Sequence, residues 1–113
     1  CEKCKKDIAK KRLTLLKIPS VLVFTIKRYN NFNEKNNSNI DFPLLFEIDN
    51  NELELYTIIN HFGSNVFCGH YTSYVKHITD NKWYHIDDNT IEEININNID
   101  TSDAYMLFYK KIN

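Results

Sequence analysis

Two residues in the second half of the chain have the right types for acid–base chemistry. They are His70 and Asp87, within the stretch VFCGHYTSYVKHITDNKWYHIDD over residues 66–88. An imidazole titrates near neutral pH, and a carboxylate that accepts from one ring nitrogen fixes the tautomer and leaves the other nitrogen free to move protons. The two side chains must therefore meet in space. TSYVKHI and KWYHI are rich in β-branched and aromatic residues, and TDN between them is turn-like, so the stretch reads as a β-hairpin. His70 begins its first strand and Asp87 ends its second.

The register decides whether the pair forms. A two-residue turn at Asp80-Asn81 sets Asp87 opposite Tyr74, roughly 13 Å along the strand from His70, which is out of reach. A four-residue loop over Ile78 to Asn81 sets Asp87 opposite Thr72, diagonal to His70 and within side-chain reach. The longer loop is the expectation. In that register Asp88, the next carboxylate, points to the other face of the sheet.

GHYTSYV, then WYHIDD, then AYMLFYKK together resemble the histidine box of the ubiquitin-specific proteases, papain-like thiol deubiquitinases. Upstream, CEKC followed by LLKIPSVLVFTIKRY and IDFP is similar to that family's segment leading out of its zinc-binding fingers. The resemblance runs from Cys1 to about Lys111, with mild departures at Ile86 and at KRY, where the family commonly has Phe. It implies an α+β, β-rich chain with the papain-like cysteine protease fold. Residues 1–12 would end the fingers, and 13–113 would form the palm sheet with the histidine box. Together they would make the carboxyl-terminal half of one catalytic domain that begins by truncation and lacks its cysteine box.

The same resemblance implies the roles. His70 takes the thiol proton and returns it to the leaving lysine amine. Asp87 orients His70, and Asp88 supports the site near the oxyanion. Gly69, Tyr71 and Tyr74 line the channel for ubiquitin's carboxyl-terminal tail, with residues 62–68 as a blocking loop. The reaction would be hydrolysis of the (iso)peptide bond after ubiquitin's last glycine, on ubiquitinated proteins. Without its nucleophile the chain alone would be inactive. The competing expectations are a ubiquitin-binding or scaffolding pseudoprotease, and a small β-rich interaction module in which GHY and DD are coincidental.

Cys1 and Cys4 form a C-x-x-C, half of a tetrahedral zinc site. No second pair follows, so the spacing leaves a metal half-site and two surface thiols both open. The resemblance implies a structural zinc completed by an upstream C-x-x-C. Cys68 lies two residues from His70, but a thiol on the base's own strand sits roughly 6.6 Å away along the backbone. No helix start precedes it to lower its pKa, so it reads as a structural thiol. His61, at the end of LELYTIINHF, has nothing acidic at useful spacing and reads as structural. Arg28 reads as a strand-end cation near an asparagine-rich loop, with an acidic partner as the alternative.

Composition bounds the rest. A chain of 113 residues with 42% hydrophobic content is at most one small domain. A net charge of -1 carries no nucleic-acid footprint, and no apolar run is long enough for a membrane span or a signal segment. Three cysteines without a secretory signal point to a reducing compartment, hence an intracellular protein of the cytoplasm or nucleus. Period 2 dominates the hydrophobic pattern. Short strands are expected at Leu13–Lys17, Val21–Tyr29 (buried on both faces), Leu44–Ile48, Leu53–Phe62, Asn89–Ile94 and Tyr105–Tyr109, with an exposed loop over 30–39 and a mobile loop over 63–69.

Overall fold

The computed structural model describes residues 2–113. Seven strands form the sheet among these residues: β1 Val21–Thr25, β2 Leu45–Ile48, β3 Asn51–Asn65, β4 Cys68–Lys76, β5 Trp83–Asp87, β6 Thr90–Ile94 and β7 Ala104–Lys111. They lie in the order β1-β7-β3-β4-β5-β6, with β2 paired on β3, and every pairing is antiparallel. One 3-10 turn at Ile96–Asn98 interrupts the last connection. The expectation of a β-rich chain with little helix is met.

Local chemistry explains the tight connections. Asp49 and Asn50 both take positive φ, 49° and 59°, which is the two-residue turn that matches the twist of a hairpin, and they join β2 to β3. Between β4 and β5 the four residues Ile78 to Asn81 form the loop. His77 N–H donates to the Lys82 carbonyl at 2.8 Å, and Asp80 accepts from Lys82 N–H at 2.9 Å and from the Tyr84 hydroxyl at 2.8 Å. That loop gives the longer register, with Ser73 opposite Ile86 and Tyr74 opposite His85.

One face of the sheet carries the core. Leu53, Leu55, Ile58, Trp83, Leu107 and Tyr109 are buried there under Ile40, Phe42, Phe46, Ile94, Ile96 and Ile99. Each large apolar side chain so buried contributes roughly 1.5–3 kcal/mol. Tyr109 packs edge-on between Phe24 and Phe46, with ring centroids 5.7 and 4.9 Å away. Its hydroxyl donates to the Pro43 carbonyl at 2.7 Å, and burial pushes its pKa up to about 12.

Four expectations are corrected. Leu13–Lys17 forms no strand; Leu13, Leu15 and Leu16 are exposed, because among the described residues no neighbouring strand offers them a ladder or a face. The Val21–Tyr29 run is a strand only to Thr25. It lies at the sheet edge beside β7, with Val21, Val23 and Phe24 each at least 40% exposed. Residues 63–69 are mostly strand, since β3 continues to Asn65 and turns into β4 through Val66 and Phe67 over an Asn65 side-chain cap. Arg28 is buried rather than solvated.

The Arg28 guanidinium shows what ties the asparagine-rich loop down. Its nitrogens donate to the carbonyls of Ala104 at 2.6 Å, Thr101 at 2.7 Å, Asn36 at 2.8 Å and Ser38 at 2.9 Å. Burial lowers its pKa, and the nearby Asp103 and Asp100 charges oppose that shift. A lysine cannot reproduce this fork. Arg28→Lys in the intact protein is expected to cost roughly 2–3 kcal/mol by leaving charge-assisted bonds unmade, read as a fall in the denaturant midpoint.

Candidate active site

His70 and Asp87 meet as the register requires. His70 stands on the second turn-proximal pair of the β3–β4 hairpin, opposite Phe62, and Asp87 is the last residue of β5. The imidazole Nε2 lies 2.6 Å from Asp87 Oδ1, and the two side chains are 48% and 43% exposed. A carboxylate accepts only, so Nε2 carries the proton toward Asp87 and Nδ1 is the nitrogen left for chemistry. Phe62 covers one side of the imidazole, its ring stacked at 6.5 Å and 40% exposed. The bond to Asp87, then the Asp87 and Asp88 charges, raise the His70 pKa above its ordinary value.

A raised imidazole pKa means the folded state holds the proton more tightly. The stabilising contribution is present below the unfolded value of about 6.5 and fades as pH rises through the folded value. In the intact protein the His70 ring resonances are expected to titrate above about 6.5, and Asp87→Asn is expected to bring them down toward it. A titration unmoved by that substitution would contradict the pairing.

Asp88 does not point away, and this corrects the strand-based expectation. The strand ends at Asp87, and Asp88 takes a left-handed φ of 48° in the turn to β6. A ligand-type atom of Asp88 thereby comes within 4.8 Å of those of His70 and Asp87. Tyr71 and Tyr74 fall on opposite faces of β4. Tyr71 is 52% exposed, whereas Tyr74 packs against the core cluster and burial raises its pKa.

Gly69 is where the backbones come closest. A Cβ there would lie 2.1 Å from the Phe62 carbonyl oxygen and 2.8 Å from His61 Nε2. The close approach is thus to β3. Cys68 begins β4, exposed, with its thiol 3.4 Å from Asn65 Oδ1. The metal expectation cannot be followed at both ends: Cys1 lies outside the described residues, and Cys4 is exposed in a turn. Of that pair Cys4 alone lies among the described residues, and it would supply one of the four ligands that a tetrahedral zinc takes.

Sequence reasoning missed a buried polar group beside this site. Lys35 Nζ pairs with Asp103 and donates to the His61 carbonyl at 2.6 Å, while Tyr29 Oη lies 2.6 Å from His61 Nδ1. No local spacing signals it, because its bonded partners lie 26 to 68 residues apart.

An exposed imidazole bonded to a carboxylate at the end of a neighbouring strand has the chemistry to accept and release protons. The profile of the ubiquitin carboxyl-terminal hydrolase family matches residues 1–109. The chain belongs to that family. Ubiquitin carboxyl-terminal hydrolase 10 of Arabidopsis thaliana is 37% identical over 127 aligned positions, covering 99% of this chain and 14% of that protein. The solved Ubp8-containing SAGA DUB module bound to monoubiquitin is similar at 30% identity and a TM-score of 0.72, over 85% of this chain and 24% of that one. An essential yeast splicing factor shares the fold alone, at 16% identity and a TM-score of 0.74 over 87% of this chain and 26% of that one. The chain thus spans about a seventh of the curated relative it matches.

Proposed function

We propose that this chain supplies the general base and its orienting acid to a deubiquitinating cysteine isopeptidase. The observation that carries the reading is the His70–Asp87 bond of 2.6 Å at an exposed rim, in a chain of this family. A fold does not by itself specify hydrolysis, so the site must carry the case.

The geometry performs the reaction as follows. His70 Nδ1 takes the proton of a thiol that another part of the longer polypeptide provides. The thiolate adds to the carbonyl carbon of ubiquitin's last glycine. The imidazolium, stabilised through Nε2 by Asp87, gives its proton to the leaving lysine amine as the C–N bond breaks and a thioester remains. Water, losing a proton to His70, then hydrolyses the thioester, and the thiol is restored. Asp88 adds negative potential beside the imidazolium, and the exposure of Tyr71 supports it, rather than the packed Tyr74, as the tyrosine that lines the ubiquitin tail's channel. Ubiquitin as partner is supported by the monoubiquitin in the related DUB module. A Cys68 nucleophile is not supported, since its thiol turns to Asn65 at the start of the base's own strand.

The test is to react the intact protein with ubiquitin carrying a carboxyl-terminal electrophile and to map the labelled cysteine. Labelling at a cysteine outside these 113 residues is expected. Retained ubiquitin binding without labelling would replace the reading with a non-catalytic ubiquitin-binding domain. Labelling of Cys68, or neither labelling nor binding, would overturn it.

A further inference from the structure

His61 is buried on β3, directly below the crossing that leads to His70. Its backbone is held from both sides: N–H donates to the Asp103 carbonyl at 3.0 Å, and C=O accepts from Lys35 Nζ at 2.6 Å. Its ring is held as well. Tyr29 Oη lies 2.6 Å from Nδ1 and 3.0 Å from the Gly63 carbonyl. A hydroxyl has one proton, and the carbonyl can only accept, so the Tyr29 proton goes to Gly63 and Nδ1–H donates to Tyr29. Nε2 is then a bare acceptor. It is buried and has no hydrogen-bond partner among the described residues.

Orphaned buried acceptors are rare, and each calls for an explanation. Here the distal ring edge is pressed against the backbone at the two glycines. Nε2 stands 2.8 Å from where a Gly69 Cβ would be, and Cε1 stands 3.2 Å from where a Gly63 Cβ would be. The Tyr71 ring lies over His61, with centroids 4.6 Å apart. Gly69 and Tyr71 are the residues on either side of His70. Asp87 restrains the His70 ring from one side, and His61 meets the strand from beneath.

We infer that His61 is a positioning residue: its distal ring edge, wedged against Gly69 and Tyr71, fixes the strand segment that presents His70 to Asp87. This rests on the reading of His70 as the base. The groups facing His61 agree with a ring kept neutral. Burial and the Lys35 charge lower its pKa, Asp103 opposes them, and Tyr29, Tyr71 and Tyr105 supply the remaining walls.

Two substitutions in the intact protein separate positioning from simple support. His61→Asn keeps a polar atom near the Nδ1 position for Tyr29 but removes the distal edge. His61→Gln reaches the distal position again. His61→Asn is expected to lower kcat about tenfold to a hundredfold, with KM for a ubiquitin substrate changed by less than about threefold. Its His70 ring resonances should titrate lower, toward the unpaired imidazole, and His61→Gln should recover most of both effects. A His61→Asn protein with a lower melting temperature but unchanged kcat and His70 titration overturns the inference. Should that variant not fold, Tyr29→Phe releases the ring's Nδ1 together with the Gly63 carbonyl and leaves the distal edge in place, and its His70 titration should shift in the same direction by less; no shift overturns the inference. Absence of cleavage by the unsubstituted protein would instead sink the proposed function, and the His70 titration, read without turnover, still decides the role of His61.

Discussion

Asp87→Asn in the intact protein is expected to lower kcat/KM toward a ubiquitin substrate about a hundredfold or more, through loss of the orienting and stabilising partner of the base. The 2.6 Å bond from His70 Nε2 explains the size. An asparagine can present an N–H there, and that favours the tautomer in which Nδ1 holds the proton and cannot accept one. It also withdraws the negative charge that supports the imidazolium. His70→Gln, which removes the base itself, is expected to cost about a thousandfold or more. Asp88→Asn changes only a neighbouring charge and should stay within about tenfold. Equal losses at Asp87 and Asp88 would mean that the turn carboxylate shares the orienting role. A mild effect at Asp87 would remove the base from the mechanism.

The pH dependence of these variants adds a second constraint. The His70 pKa is raised mainly by its bond to Asp87, with smaller contributions from the charges of Asp87 and Asp88. Loss of the Asp87 bond should therefore lower it further than loss of Asp88. That ordering depends on geometry alone and can be read in the absence of turnover.

The site was legible where local composition decides it. The turn residues between Lys76 and Trp83 set the loop length, the loop length sets the register, and the register brings residues 17 apart into contact. Asp88 was misjudged because a strand pattern does not say where the strand stops. One residue with φ of 48° returns its carboxylate to the side a regular strand would deny it. The Val21–Tyr29 run failed for a different reason: apolar composition is the same for a central strand and for an edge strand, and only the partners differ. Arg28 and His61 were beyond reach altogether. The Arg28 bonds span up to 76 residues, and the His61 bond to Tyr29 spans 32.

Both glycines of the chain show how far the packing escapes a composition rule. Gly63 reads as a mark of mobility, yet a Cβ on it would meet the Cys68 carbonyl oxygen at 2.5 Å and Gly69 Cα at 3.1 Å. Gly69 answers it across the crossing of β3 and β4, with φ of +155°. Gly69→Ala is therefore expected to be severe. The new methyl would sit 2.1 Å from the Phe62 carbonyl oxygen, a backbone atom that no rotamer change can move, and 2.8 Å from His61 Nε2, which its bond to Tyr29 holds in place. Relief requires the bulge between Phe62 and Asn65 to open. Backbone strain and overpacking together should cost roughly 2–5 kcal/mol, a large part of a stability of about 5–15 kcal/mol. Because the displaced residue immediately precedes His70, the folded fraction should also lose most of its kcat, and ubiquitin binding should survive better than turnover. Unfolding by denaturant together with single-turnover kinetics would read the two losses separately. A Gly69→Ala protein with an unchanged midpoint would show that β4 does not approach β3 this closely.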